Sequence, residues 1–157
     1  VLLSCLKILI IRKNWRIDHY RMKHYCVDTN VVLDMLADRA GFSDAACEVF
    51  DAAGRGEIKL SMCALSYSNI YYILRKQLGH SVTIESLQTL SESVSILPVD
   101  EYVIQQSLKS GFQDYEDAIQ YYSAIQDSSI IGIITRNAKD FRQSKLPILE
   151  PSEWNLG

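Results

Sequence analysis

The residues of this chain that could do chemistry are acids placed where predicted strands end. Asp28 directly follows the apolar segment 25–27, and a second apolar segment begins at Val31. The first segment is typical of a buried strand, and the second of a helix that Thr29 or Asn30 could cap. Because open α/β sheets bind ligands beyond the carboxyl ends of their strands, Asp28 is a candidate site residue. A plain turn or capping role for Asp28 is the alternative.

Further acids lie at the start of a predicted helix late in the chain. Asp114 and Asp117 are three residues apart, which predicts that both lie on one face of its first turn, with Glu116 pointing elsewhere. Acids in a first turn also interact favourably with the helix macrodipole, and this is the structural alternative for both aspartates.

A third polar segment follows the apolar run 130–134, which is typical of a strand inside a parallel sheet. Thr135, Asn137 and Asp140 lie at or just beyond the predicted carboxyl end of that strand. Adjacent parallel strands end at the same sheet edge, so we expect this segment to lie beside Asp28, with the helix that starts at Asp114 docked against the same edge.

Carboxylates brought together raise one another's pKa values unless a cation joins them. Oxygen ligands without histidine favour Mg²⁺ or Mn²⁺ over zinc, and such an ion can activate water and stabilise charge on a phosphate under attack. A dense basic run at the same edge suits phosphate contact, although a solvated face is the alternative. The expected metal ligands are Asp28, Asp114, Asp117, Asn137 and Asp140, and the expected nucleic-acid contacts are Arg136, Lys139, Arg142 and Lys145.

Predicted strands alternate with predicted helices along the chain. This alternation predicts a three-layer α/β/α sandwich around a parallel sheet of four or five strands. The predicted helices after the first are 44–53, 65–78, 84–91, 101–110, 114–126 and 138–141, and the predicted strands are 25–27, 58–62, 94–99, 130–134 and 148–149.

Composition limits the class of protein. The 157 residues fit one domain, and the net charge is −3, with basic residues concentrated before Met22. A protein that binds nucleic acid through charge alone would be basic, so any nucleic acid must be held by a local basic patch or through metal ions. The four cysteines form no Cys-x-x-Cys pair, which favours a reducing, cytoplasmic compartment.

The segment before Met22 is unlike the rest of the chain. Its apolar stretch, 2–11, is interrupted by Lys7 and is shorter than the roughly 18–20 residues that a membrane span needs. We expect residues 1–22 to be an upstream or non-native extension and 23–157 to be a single domain with no membrane association. An interfacial membrane anchor is the alternative for the extension.

Three motifs together resemble the PIN domain family. They are Asp-Thr-Asn after the first strand, Asp-Tyr-Glu-Asp-Ala-Ile at a late helix, and Ile-Thr-Arg-Asn-x-x-Asp-Phe after a late strand. The resemblance extends from Lys23 to about Trp154 and implies an α/β/α sandwich with Mg²⁺- or Mn²⁺-dependent endoribonuclease activity. Many small members are VapC-type toxins, so it also implies an RNA substrate, a small antitoxin partner and a homodimer.

The resemblance assigns roles residue by residue. Asp28 matches the first family carboxylate, and Asn30 matches its common neighbour. Asp117 matches the acid that opens the late helix, with Asp114 as an accompanying acid. The resemblance therefore implies that Asp28, Asp114 and Asp117 are catalytic and that Thr135 supports them.

Two positions depart from the family pattern. Asn69 stands where a glutamate is usual, and Asn137 stands where another acid is frequent, although Asp140 follows three residues later. An amide oxygen can bind a metal ion but adds no charge. Asn69 is accordingly expected to support the site, and a non-catalytic PIN-like module that binds RNA or a protein is the second hypothesis. A phosphatase-like hydrolase with Asp28 as nucleophile is the third.

Overall fold

A parallel sheet forms the centre of the molecule. The computed structural model describes residues 22–154, and within them five parallel strands are ordered β3-β2-β1-β4-β5. The predicted extension, residues 1–22, lies outside the described residues apart from Met22. The strands are β1 (Lys23–Val27), β2 (Ile58–Cys63), β3 (Ser95–Leu97), β4 (Ile130–Ile134) and β5 (Ile148–Leu149).

Helices connect successive strands, as the alternating pattern predicts. Two short 3-10 helices, Ala138–Phe141 and Pro151–Glu153, flank β5. The α-helices are α1 (Thr29–Leu36), α2 (Ser43–Gly54), α3 (Ala64–Ser93), α4 (Glu101–Lys109) and α5 (Tyr115–Ala124).

Alternate strand residues point into separate cores on the two faces of the sheet. Tyr25 and Val27 of β1 pack with α1, α2 and α3 on one face. Cys26, between them, packs with α5 and the first 3-10 helix on the other face, and α4 packs against α5 there. The predicted three-layer α/β/α sandwich and its parallel sheet are therefore confirmed.

The sequence predicts two helices, over 65–78 and 84–91, and the break between them is confirmed at Gly79 within α3. One helical element runs from Ala64 to Ser93, broken by a single non-helical residue, Gly79, with φ 77° and ψ 172°. Helical structure resumes directly after this residue, and the hydroxyl of Thr83 donates a hydrogen bond to the Gly79 carbonyl oxygen, at 2.7 Å, in the first turn of the second part of the helix. The second arm therefore begins earlier than predicted.

Between residues 22 and 154, no helix has both the length and the apolar character required to span a membrane. Cys26 and Cys63 are buried free thiols.

The break in α3 gives the first testable prediction. The backbone conformation of Gly79 is essentially restricted to glycine, while a Cβ atom added there would meet no atom within 4 Å. Gly79→Ala should therefore lower the free energy of unfolding by about 1–3 kcal/mol through backbone strain alone. Thermal melts measure this effect. Gly54→Ala, at the helical end of α2 where φ is not positive, is the matched control and should cause no loss; equal stability of both variants would contradict the prediction.

Candidate functional site

The site is built where the two central strands end side by side. Val27 of β1 pairs with Ile134 of β4, and the next amide, that of Asp28, donates to the Ile134 carbonyl oxygen at 2.9 Å. Asp28 and Thr135 therefore leave the sheet together. This is the edge at which the sequence predicts them to meet.

The Asp28 carboxylate is almost fully buried, with 3% of the residue exposed. Its Oδ2 accepts hydrogen bonds from Asn30 Nδ2 at 2.5 Å and from Thr135 Oγ1 at 2.6 Å. Its Oδ1 accepts from Gln120 Nε2 at 3.0 Å. Burial raises the pKa of Asp28, and the hydrogen bonds from Thr135 and Gln120 act in the opposite direction.

Asp28 is not a capping residue in the chemical sense. It occupies the N-cap position of α1, but its side chain accepts no hydrogen bond from the backbone amides of that helix. Because α1 begins at Thr29, the prediction that Thr29 or Asn30 would be the cap is wrong. The side chain of Asp28 is instead held by three polar groups from other positions, an arrangement that a turn does not require.

Helix α5 begins one residue later than predicted, at Tyr115, and this changes the roles of its acids. Asp114 is the N-cap: its Oδ1 accepts from the amides of Glu116 and Asp117, at 2.8 and 3.3 Å. Asp114 is exposed, and as the N-cap it precedes the first turn, in which the spacing placed it together with Asp117. Its capping bonds fix the backbone that carries the next two acids.

Glu116 faces the site, and the prediction that it points elsewhere is wrong. Its Oε1 lies 2.9 Å from Thr29 Oγ1, which in turn lies 2.8 Å from Ser66 Oγ at the start of α3. A hydroxyl carries one proton and an ionised carboxylate only accepts, so Thr29 donates to Glu116 and accepts from Ser66. The sequence analysis missed Glu116, Ser66 and Gln120. Helical spacing could have identified Gln120, which is three residues after Asp117 on α5.

Asp117 is a second acid of the site whose pKa is raised. It is half-buried, and burial, followed by the negative charges of its neighbours, raises its pKa to about 7. The neighbouring charges that contribute are those of Asp28, Asp114, Asp140 and Glu116. A proton or a cation therefore stabilises this edge of the protein near neutral pH.

The segment after β4 supports the site from the other side. The Thr135 hydroxyl, fully buried, accepts from the Asn137 amide at 3.0 Å while donating to Asp28. The Asn137 side-chain amide donates to the Asp140 carboxylate. Asn137 therefore orients Asp140, and its own side-chain oxygen is an atom of the kind that can bind a metal ion.

The predicted supporting residue Asn69 lies on α3, one helical turn after Ser66. It is half-buried, and its side chain forms no hydrogen bond with the rest of the described chain. The structure therefore brings Ser66, but not Asn69, into direct contact with the hydrogen-bonded groups of the site.

The predicted basic run divides into two parts. The Arg136 guanidinium lies 4.3 Å above the centre of the Phe42 ring, and its Nε is 3.3 Å from the buried carboxylate of Asp34. Arg136 is therefore engaged within the protein. Lys139 and Arg142 are exposed and line a cleft of about 260 Å³ together with Asp140. Lys145 is exposed but does not line this cleft.

The donor chemistry at this edge fits a hard divalent cation, because it consists of carboxylates without histidine or thiolate. Asp28, Glu116, Asp117 and Asp140 supply these carboxylates. Within the described range 22–154, no group of three His, Cys, Asp or Glu side chains converges closely enough to hold a metal ion. The site thus contains side chains of the kind that bind such an ion, but they are not already arranged around a single point.

The fold and the site define an α/β/α domain with a cluster of acidic residues at the carboxyl edge of a five-stranded parallel sheet. Residues 24–139 match the PIN domain, and the chain belongs to this family. The resemblance drawn from the three motifs is thereby confirmed.

Solved structures with the same fold include several toxin–antitoxin complexes. VapBC-1 from nontypeable Haemophilus influenzae is similar with a TM-score of 0.61 and 17% identity, covering 82% of this chain and 98% of that one. A toxin–antitoxin complex from Klebsiella pneumoniae is similar with a TM-score of 0.60 and 21% identity, covering 81% of this chain and 97% of that one. VapBC2 from Rickettsia felis, bound to a DNA fragment from its promoter, is similar with a TM-score of 0.59 and 13% identity. The match covers 81% of this chain and 98% of that one. No curated protein matches this sequence.

The raised pKa of Asp117 predicts how stability depends on pH. Between about pH 4 and pH 7, the folded protein holds a proton at Asp117 that the unfolded chain has released, so the free energy of unfolding should fall as pH rises through this window. Asp117→Asn removes that proton uptake, so its free energy of unfolding should depend less steeply on pH. Some slope should remain, because the pKa of Asp28 is also raised.

Denaturant unfolding in chelator-containing buffer at several pH values measures this profile. Asp44→Asn is the matched control, since Asp44 is an exposed acid in the first turn of α2. Its profile should follow the parent protein. Parallel profiles for the parent and Asp117→Asn would show that Asp117 titrates normally.

Proposed function

We propose that this protein is a divalent-metal-dependent endoribonuclease of PIN type that acts as the toxin of a toxin–antitoxin pair. The single observation that supports it most is the buried, hydrogen-bonded Asp28 beside Asp117, whose pKa is raised to about 7 by burial and then by neighbouring acids. Acids that repel one another at neutral pH are suited to a cation. Family membership over residues 24–139 supports the same conclusion.

The residues of the site have distinct roles in this proposal. Asp28 and Asp117 hold Mg²⁺ or Mn²⁺, with Asp140 and Asn137 beside them, directly or through water. The bound ion supplies an activated water and charge stabilisation on the scissile phosphate. Asn30, Gln120 and Thr135 orient Asp28 through the hydrogen bonds described above. Asp114, expected to be catalytic, acts by capping α5 and so positions Asp117.

The exposed basic side chains beside the acids suit the phosphates of a single-stranded RNA. Lys139 and Arg142 line the cleft that also contains Asp140, so a phosphate bound there lies next to the acidic edge. Lys145 extends the positive charge along the same segment. Arg136 contributes to the folded structure through Asp34 and Phe42 rather than to RNA binding.

An antitoxin partner and a homodimer belong to the same proposal. The similar solved structures include VapBC complexes and a further toxin–antitoxin complex. We accordingly propose a small antitoxin that neutralises the activity, and a cytoplasmic location where both cellular RNA and the antitoxin are available. A short neighbouring reading frame that encodes a DNA-binding protein would support this part.

A non-catalytic module that binds RNA or a protein is the second candidate. Two observations favour it: amides stand at Asn69 and Asn137, and no three acids between residues 22 and 154 converge on one point. The phosphatase-like alternative, with Asp28 as nucleophile, has less support, because the side chains of the described residues that contact Asp28 are Asn30, Gln120 and Thr135 and include no lysine.

Cleavage of single-stranded RNA by the purified full chain, with Mn²⁺ or with chelator, tests the function. We expect metal-dependent cleavage that falls roughly 10²-fold or more in Asp28→Asn, because a metal ion supplies several kcal/mol of transition-state stabilisation. The near-constant volume of this change should preserve the fold, which thermal melting checks.

Asp44→Asn is the control and should cleave at the parental rate. Unchanged cleavage by Asp28→Asn would contradict the assignment of Asp28. Metal-independent RNA binding by the parent, without cleavage, would favour the non-catalytic module instead.

A further inference from the structure

Helix α3 approaches the site without contributing a carboxylate. The first two turns of this helix carry Ser66 and Asn69, which are three residues apart and therefore lie on the same side of the helix. Neither side chain is acidic. The side of the site formed by α3 thus lacks a negative charge of its own, although hydroxyl and amide groups give it a polar surface.

A carboxylate reaches this side of the site from another helix. Glu116 Oε1, on α5, lies 2.9 Å from the Thr29 hydroxyl, and the same hydroxyl lies 2.8 Å from Ser66 Oγ. A continuous chain of hydrogen bonds therefore joins α5, α1 and α3. It holds the charge of Glu116 on the side of α3 that carries Ser66 and Asn69.

The position of Glu116 in α5 allows its side chain to reach Thr29. Asp114 caps α5, and its Oδ1 fixes the backbone amide of Glu116 at 2.8 Å. Glu116 and Gln120 are one turn apart on one helix face, and Gln120 donates to Asp28. The face of α5 that orients Asp28 therefore also carries Glu116 toward Thr29.

We propose that Glu116 supplies the negative charge that Asn69 does not, so that it is the third functional carboxylate of this site with Asp28 and Asp117. This inference rests on the proposed metal-dependent function. Glu116 contributes negative charge to the cation site from α5, directly or through water, in place of an acid from α3. The amide at position 69 is then compatible with an active site.

A purely structural role for Glu116 makes a different prediction. If Glu116 served only as the acceptor for Thr29, glutamine would serve almost as well, since its side-chain oxygen also accepts. Glu116→Gln therefore removes the charge while keeping the hydrogen bond. Thr29→Val does the reverse, because it removes the hydrogen bond and leaves the charge.

The experiment titrates melting temperature against Mn²⁺ for the full chain, starting from chelator-treated protein. A ligand that binds only the folded state raises the melting temperature with concentration, so the curve reports the apparent affinity without any activity measurement. The variants are Glu116→Gln, Thr29→Val, Asn69→Asp and the double variant Glu116→Gln with Asn69→Asp.

We expect Glu116→Gln to melt at or above the parental temperature without metal, because one repulsive charge is gone. Its apparent affinity for Mn²⁺ should fall roughly 10–100-fold, the range typical of lost groups around a metal site. Asn69→Asp should increase the apparent affinity for Mn²⁺ when it is made in the parent protein. In the double variant it should restore the affinity that Glu116→Gln loses. Thr29→Val should lower the apparent affinity for Mn²⁺ less than Glu116→Gln does, because the charge of Glu116 remains although its hydrogen bond is lost.

Glu101→Gln is the matched control, since Glu101 is an exposed acid in the first turn of α4, and it should respond as the parent does. A parental response by Glu116→Gln would overturn the inference while leaving the proposed function standing. If the double variant binds Mn²⁺ no more tightly than Glu116→Gln alone, the proposal that Glu116 supplies the charge missing at position 69 would be overturned. A parent protein with no response to Mn²⁺ would overturn both this inference and the metal-dependent function.

Discussion

The burial of the Asp28 carboxylate is the constraint on which the rest of the site depends. A buried charge is costly unless donors satisfy its oxygens, and here the donors come from three different positions: Asn30 in α1, Gln120 in α5 and Thr135 after β4. The strand ends and two helices must be in register for all of them to reach it. The same contacts that make Asp28 tolerable inside the protein therefore also fix the geometry of the site.

Electrostatics then explains why an acidic edge can exist in the folded protein at all. The hydrogen bonds to Asp28 oppose the effect of burial on its pKa, whereas burial and then several acidic neighbours raise the pKa of Asp117 to about 7. At neutral pH a proton partly relieves this repulsion, and a divalent cation would relieve it more completely. Under the proposed function, relief of this repulsion would contribute to the affinity of the site for a metal ion.

Much of the fold could be predicted from the sequence, because apolar runs and their spacing report directly on burial. Strand β4, residues 130–134, was predicted to the residue from its near-continuous apolar run. Helix boundaries were harder: a shift of one residue at the start of α5 makes Asp114 a cap and turns Glu116 toward Thr29. The ion pair of Arg136 with Asp34 joins residues distant in sequence, so a local charge pattern could not distinguish it from an exposed phosphate contact.

Measuring the pKa of Asp117 with and without Mg²⁺ tests the central claim most directly. The side-chain carboxyl carbon of Asp117 can be followed by NMR across a pH titration, first with chelator and then with saturating Mg²⁺. The account predicts a pKa of about 7 without metal and a clear decrease with Mg²⁺, because the cation replaces the proton, while the exposed Asp44 does not respond. An Asp117 pKa in the ordinary range for aspartate, or one that Mg²⁺ leaves unchanged, would contradict it.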